Sequence, residues 1–166
     1  ILAAEIMTRN DGIVLDTFFV TDAQTGTLAK REEKDTFETL LSQVLLGDEV
    51  DLPTLITRRK RSAPAYRSVE GERIPTLVTF DNETSETQTV IDLEAEDSIG
   101  LLYAISLALT DLGLNVSLAK IVTEKGAAID SFYVTDGAKN KIVDPEFLKQ
   151  IERKLRRRID RLAERR

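Results

Sequence analysis

The sequence predicts an α+β fold of two ferredoxin-like (βαββαβ) units, the first lacking its opening strand and helix. Three observations carry that expectation. The chain states one segment twice: Ala4, Ile6 and Thr8 match Ala119, Ile121 and Thr123 at an offset of 115. After a one-residue deletion, Gly12, Asp16, Phe18, Val20, Thr21 and Asp22 match Gly126, Asp130, Phe132, Val134, Thr135 and Asp136 at an offset of 114. β-branched and aromatic runs alternate with stripes of helical period. Turn residues punctuate the boundaries, with Gly47 and Gly113 just past two such stripes and Asp144-Pro145 opening a third.

Residues 1–8 and 13–21 read as a hairpin that turns through Thr8-Arg9-Asn10-Asp11-Gly12, where Asn-Asp-Gly suits positive-φ positions. A helix is expected from about Glu32 to Leu46, with Phe37, Leu40, Leu41, Val44 and Leu45 on one stripe. Asp48 to Glu72 holds Pro53, Pro64 and the basic run Arg58-Arg59-Lys60-Arg61, and reads as a short helical or irregular connector passing into a loop. Strands are expected at Thr76–Asp81 and Thr87–Leu93 with a turn between them. A helix at Ile99–Leu112 follows, then a second hairpin of Asn115–Thr123 and Ala128–Thr135. The last helix runs from Pro145 to near Ala163 on the stripe Leu148, Ile151, Leu155, Ile159 and Leu162.

This order divides the chain into a partial first unit, residues 1–82 with the connector 47–75, and a second unit, residues 83–166. The second reads β-α-β-β-α and needs one more strand. Thr76–Asp81 either closes the first unit or completes the second by exchange. The chain opens without Met inside a strand-like run, which predicts further residues upstream.

Composition excludes several chemistries. With no cysteine and no histidine there are no disulfides, thiolate or imidazole metal ligands, cysteine nucleophiles or histidine general bases. No nucleophile, base and orienting group stand together, so no catalytic residue, metal site or cofactor is expected. Lys and Arg total 23 against 29 Asp and Glu, and the net charge of −6 disfavours nucleic acid as a partner. No apolar run approaches the roughly 18 residues that would span a bilayer, so no membrane partner is expected and the chain reads as cytoplasmic.

Glu94-Ala95-Glu96-Asp97-Ser98-Ile99-Gly100-Leu101-Leu102, followed by Leu112-Gly113-Leu114-Asn115-Val116, resembles the signature of ACT domains: an Asp-x-x-Gly-Leu-Leu loop after the first strand and Gly-Leu-Asn opening the second. Phe80-Asp81-Asn82-Glu83-Thr84-Ser85, Ala119-Lys120-Ile121 and the stretch from Leu15 to Asp22 extend the likeness to the tandem ACT region that ends the bacterial bifunctional uridylyltransferase/uridylyl-removing enzymes. The resemblance implies a regulatory, non-catalytic region that senses an amino-acid effector, glutamine by analogy. It implies as partners the catalytic domains of a parent enzyme and the PII protein, and it allows a homodimer. Ser98-Ile99 departs from the family's usual Arg-Pro, removing a positive charge and a rigid φ from the loop. The family's nucleotidyltransferase core is not in this sequence, and its histidine-aspartate hydrolase core requires histidines that the chain lacks.

The ligand residues implied are Asp97, Ser98, Ile99, Gly100, Leu101, Leu102, Asn115 and Val116. Physically, a glycine between strand and helix lets a ligand approach the backbone, and free N–H groups at a helix N-terminus suit a carboxylate. Read without the resemblance, Asp97 either caps the helix or pairs with a ligand ammonium, and Asn115 either caps a turn or offers its amide to a ligand. Asp22 and Asp136 are expected to start turns. Lys120, in an otherwise largely apolar strand, reads as an edge-strand guard. The arginines crowding the last helix, from Arg153 to Arg166, read as a solvated face because Glu152, Asp160 and Glu164 interleave. The alternative function is a protein-interaction or dimerisation module with no small ligand.

Overall fold

A computed structural model describes residues 1–9, 11–22, 25–62 and 74–164. Asn10 of the first turn, the connector from Ala63 through Pro64 to Glu72, and Arg165 and Arg166 lie outside them. The elements are β1 (Ala3–Thr8), β2 (Val14–Phe19), α1 (Arg31–Leu46), α2 (Leu52–Ser62), β3 (Leu77–Asp81), β4 (Thr89–Glu96), α3 (Leu101–Asp111), β5 (Asn115–Glu124), β6 (Ala127–Thr135) and α4 (Pro145–Glu164). This is the α+β architecture expected, with a six-stranded antiparallel sheet in the order β2-β1-β5-β6-β4-β3. Among the described residues no helix is long and apolar enough to cross a membrane. Contacts divide the chain into two compact units, Ile1–Phe19 with Ser68–Arg166, and Val20–Arg67.

The placement of β3 resolves the choice that the sequence left open. β3 pairs antiparallel with β4, from Leu77 against Glu94 to Asp81 against Val90. Strands β5, β6, β4 and β3 thereby form the four-stranded sheet of one ferredoxin-like unit, with β3 in the position of the closing strand. β4 starts two residues later than its composition suggests, because the Ser85 hydroxyl accepts the Gln88 N–H and prolongs the turn. The Asp81 carboxylate fixes the start of that turn by accepting the N–H groups of Glu83 and Thr84 at 2.6 and 2.9 Å.

The duplicated hairpins meet along their matching strands. β1 pairs antiparallel with β5 so that Ala4 faces Ile121, Glu5 faces Lys120 and Ile6 faces Ala119. Since Ala4 is the repeat counterpart of Ala119 and Ile6 of Ile121, the pairing is its own mirror under exchange of copies. A local two-fold axis therefore passes between Glu5 and Lys120. Lys120 does not guard an edge as its charge suggested, because β5 is paired on both sides; it is exposed and Glu5 is its register partner on β1.

Alternation decides which sheet face is covered. Ile91, Leu93 and Ala95 of β4, Ala128, Phe132 and Val134 of β6, and Ala119 and Ile121 of β5 pack with α3 and α4 into one core. Helix α3 supplies Leu101, Ala104, Ile105, Ala108 and Leu109, and α4 supplies Ile151, Leu155 and Ile159. At the end of α3 the chain reverses through Gly113 at φ 68°: the Leu114 N–H reaches Leu109 O and the Gly113 N–H reaches Thr110 O, a Schellman closure that leads directly into β5. Asp144 opens α4 by accepting the Glu146 and Phe147 N–H groups. Thr89, fully buried on β4, holds the 136–142 loop down by accepting the Ile142 N–H at 2.9 Å and donating to Asn82 Oδ1 at 2.7 Å.

The opposite sheet face is open within this unit. Register places Phe19, Ala3, Val122, Ile129, Glu94 and Leu77 in one row across all six strands. Phe19 is 60% exposed, Leu77 50% and Ile129 48%.

In the unit Val20–Arg67, the basic run Arg58–Arg61 falls on α2, so the connector is helical over that stretch. α1 is capped at its end by Gly47 at φ 89°, and none of its residues is buried: the expected apolar stripe is present, with Leu45 and Leu46 largely exposed. Asp22 starts the turn expected of it, its Oδ1 accepting the Thr25 N–H at 2.8 Å.

Candidate ligand-binding site

The loop between β4 and α3 is built by backbone contacts rather than by a side-chain cap. Asp97 N–H donates to Gly126 O at 2.8 Å, which ties the end of β4 to the β5–β6 turn. The chain then folds back so that the Leu101 N–H reaches Ser98 O at 3.0 Å, and Gly100 becomes the helix N-cap with φ 91°, a left-handed conformation that a side chain would strain. No side chain caps the helix. Asp97 therefore does not take the capping role that was one of its two readings. The first helical bond accepted by Gly100 comes from Ala104 N–H at 2.9 Å, and among the described residues the amides of Leu102 and Tyr103 take no partner. Asp97, Ser98, Ile99, Gly100 and Leu102 are half-buried and Leu101 is buried.

The sequence-predicted residues do not all converge. Asn115 and Val116 sit at the opposite end of the sheet: Glu96 stands beside Ala127 at one end of β6, and Asn115 beside Thr135 at the other. The eight strand steps between them amount to about 27 Å. Asn115 is exposed, and its Nδ2 donates to Asp136 O at 2.8 Å, bracing the turn that Asp136 begins by accepting the Ala138 and Asn140 N–H groups. Val116 is half-buried beside a bulge in β5. The end that carries the loop is instead flanked, three strands away from β4, by the start of β1, where Thr123 N–H donates to Leu2 O at 2.9 Å. Ile1 is the repeat counterpart of Val116.

One buried acidic residue was not among the candidates. Asp130 on β6 is 2% exposed on the helix-covered face, between Leu93 of β4 and Ile121 of β5. Its Oδ1 has no hydrogen-bond partner among the described residues. Burial pushes its carboxyl up to about 7, the Val122 N–H works against that shift, and the like charge of Asp97 adds to it. The signal was available in the parity of the strand: Ala128, Phe132 and Val134 are core-facing, and Asp130 shares their face. Among the described residues no group of three or more potential metal ligands comes together.

The basic face of α4 is partly engaged. Asp111 of α3 takes Lys154 at 3.2 Å and Arg158 at 2.6 Å, which holds its carboxyl below the usual range, and Arg156 pairs with Glu152 and donates to Thr76 O.

The ACR9-like, ACT-like domain family matches residues 77–162, just over half of the chain and the whole span from β3 into α4. This chain belongs to the ACT-like family. Beyond the family match, the ACT-like chain is 37% identical over 156 residues to a bifunctional uridylyltransferase/uridylyl-removing enzyme of Azospirillum brasilense, covering 93% of this chain and 16% of that enzyme. The enzyme of the same name from Rhodospirillum rubrum is 35% identical over 155 residues, with the same coverage. That of Ruegeria pomeroyi is 31% identical over 165 residues, covering 99% of the ACT-like chain and 18% of the enzyme. The chain thus spans about a sixth of the length of these curated relatives. No solved structure matches it.

Proposed function

We propose that this chain is a non-catalytic, amino-acid-sensing region of a uridylyltransferase/uridylyl-removing enzyme acting on the PII protein, with glutamine as effector. The observation that carries the reading is the left-handed Gly100 N-cap, which leaves the Leu102 and Tyr103 amides unpartnered at the start of α3. Such amides, at the positive end of the helix dipole, attract a carboxylate. Asp97, released from capping, is free to face an ammonium. Asn115 and Val116 lie at the other end of the sheet and take no part in this site; the strand start at the loop's end of the sheet is that of β1. An effector regulates by binding two packing states unequally, and the catalytic domains of the parent enzyme are the partners whose packing it would bias.

A second reading, a docking or dimerisation module without a small ligand, draws support from the exposed row Phe19, Val122, Ile129 and Leu77. Calorimetry of the chain with L-glutamine separates the two. The sensing reading expects saturable heat at millimolar ligand or below; absence of heat with L-glutamine, together with self-association in sedimentation, supports the second reading instead.

A further inference from the structure

We propose that the open face of the sheet is a self-association surface, on which a second copy of this chain stacks with β1 over the second copy's β5 about a two-fold axis parallel to the strands. This pairing supplies an occupant for the exposed row described above, and it holds whether or not a small ligand binds.

Strand parity and register lay three rows on that face across β2, β1, β5 and β6. The first runs Phe19, Ala3, Val122, Ile129. Two residues along each strand, the middle row runs Thr17, Glu5, Lys120, Ser131. The third runs Leu15, Met7, Leu118, Tyr133. Every one of these residues is exposed or half-buried. The face is therefore a polar row, carrying one cation beside one carboxylate, between two largely apolar rows. Glu5 and Lys120 are register partners of opposite sign, yet neither makes an ion pair among the described residues.

A two-fold axis parallel to the strands, midway between β1 and β5, carries each row onto the same row of the second copy with its order reversed. Phe19 then lies over Ile129, Ala3 over Val122 and Thr17 over Ser131. Met7 lies over Leu118 and Leu15 over Tyr133. At the centre Glu5 lies over Lys120 and Lys120 over Glu5, so apolar groups meet apolar groups and each charge meets its opposite. An axis running across the strands would instead set Glu5 over Glu5 and Lys120 over Lys120, so charge selects between the two isologous arrangements. The chosen axis also leaves Asp92 and Glu94 of β4 beyond the stacked strands, where their carboxylates stay in water. Four strands about 4.8 Å apart and three rows about 7 Å apart make a patch of about 19 by 20 Å, the scale of a weak interface rather than an obligate one. Association is therefore expected at micromolar concentration or above.

The test is sedimentation equilibrium of the chain from micromolar to millimolar concentration, with far-ultraviolet circular dichroism as the check on folding. The wild-type chain is expected to pass reversibly from monomer to dimer. Glu5→Lys leaves only cations at the two central positions and Lys120→Glu only carboxylates, and each variant alone is expected to dimerise about tenfold or more weakly. Mixed in equal amounts, the two are expected to recover wild-type association, because every central cation of one chain then meets a carboxylate of the other. Like charges facing each other within one chain would persist in the mixture, so recovery reads the contact between copies and not a folding defect. Ile129→Asp, at an exposed position, sets a carboxylate over Phe19 and is expected to abolish dimerisation. A wild-type chain that stays monomeric assigns the face to another occupant and overturns the proposal. Dimerisation unchanged by Ile129→Asp, or no recovery in the mixture of two folded variants, overturns it equally.

Discussion

Asp130→Asn is expected to flatten the dependence of stability on pH between about pH 4 and pH 7. The folded-state carboxyl is pushed up to about 7 from an ordinary 3.8. Below 3.8 both folded and unfolded chains hold the proton and the group is neutral in its effect. As pH rises from there, the unfolded chain releases its proton while the folded chain keeps it, so stability falls until the folded carboxyl also ionises near 7. The gap corresponds to a loss of about 4 kcal/mol across that window. Asp51, Asp81 and Asp111 act in the opposite sense: hydrogen bonds from Thr54, Thr84 and Arg158 respectively hold their carboxyls low, and the stability they contribute is present above 3.8 and lost as pH falls below it. Urea melts at pH 4.5 and 7.5 measure the difference. The wild-type chain should be less stable at the higher pH by several kcal/mol, and the Asn variant nearly indifferent. Parallel profiles for the two proteins would mean that Asp130 is ionised in the folded chain throughout. The comparison concerns slopes, because an Asn amide in the same enclosure carries its own hydrogen-bonding cost.

Leu155→Ala is expected to be the most damaging truncation on α4, costing about 2–5 kcal/mol in urea melts. Leu155 is fully buried, and with Ile151 and Ile159 it forms the stripe by which α4 joins α3 and the sheet in one core. Removing its branched end opens a cavity where rigid strands limit collapse. Leu45→Ala on α1, at 76% exposure, provides the contrast and should change stability by no more than about 0.5 kcal/mol. Equal costs for the two variants would contradict the placement of the core between α3, α4 and the sheet.

Much of this architecture was legible in the residues. Helix α3 followed from the Leu101, Ile105, Ala108 and Leu109 stripe and its Gly113 stop, and α4 from Asp144-Pro145 and the Ile151, Leu155 and Ile159 stripe. Period and capping are local properties, so they survive without knowledge of the tertiary fold. The partner of β3 was not legible, because nothing within Leu77–Asp81 distinguishes one sheet edge from another. The edge reading of Lys120 failed for the same reason: charge suggested a boundary, whereas β1 supplies a neighbouring strand. For the loop, the glycine and the free amides were read correctly as features of a helix start. The separation of Asn115 from Asp97 was not drawn, although one precedes α3 and the other follows it, which already sets them at opposite ends of the helix. Asp130 escaped because it stood in the sequence only as a position matching Asp16 in the duplicated segment. Parity on β6 carried the information, and only packing shows what that parity buries.

The most direct measurement is an amide nuclear magnetic resonance titration of the isotope-labelled chain with L-glutamine. Binding at the start of α3 predicts saturable shifts centred on Gly100, Leu102 and Tyr103. Shifts confined to Phe19, Val122 and Ile129 on the open sheet face, or no shift at the β4–α3 loop at saturating ligand, would contradict the assignment of that loop as the effector site.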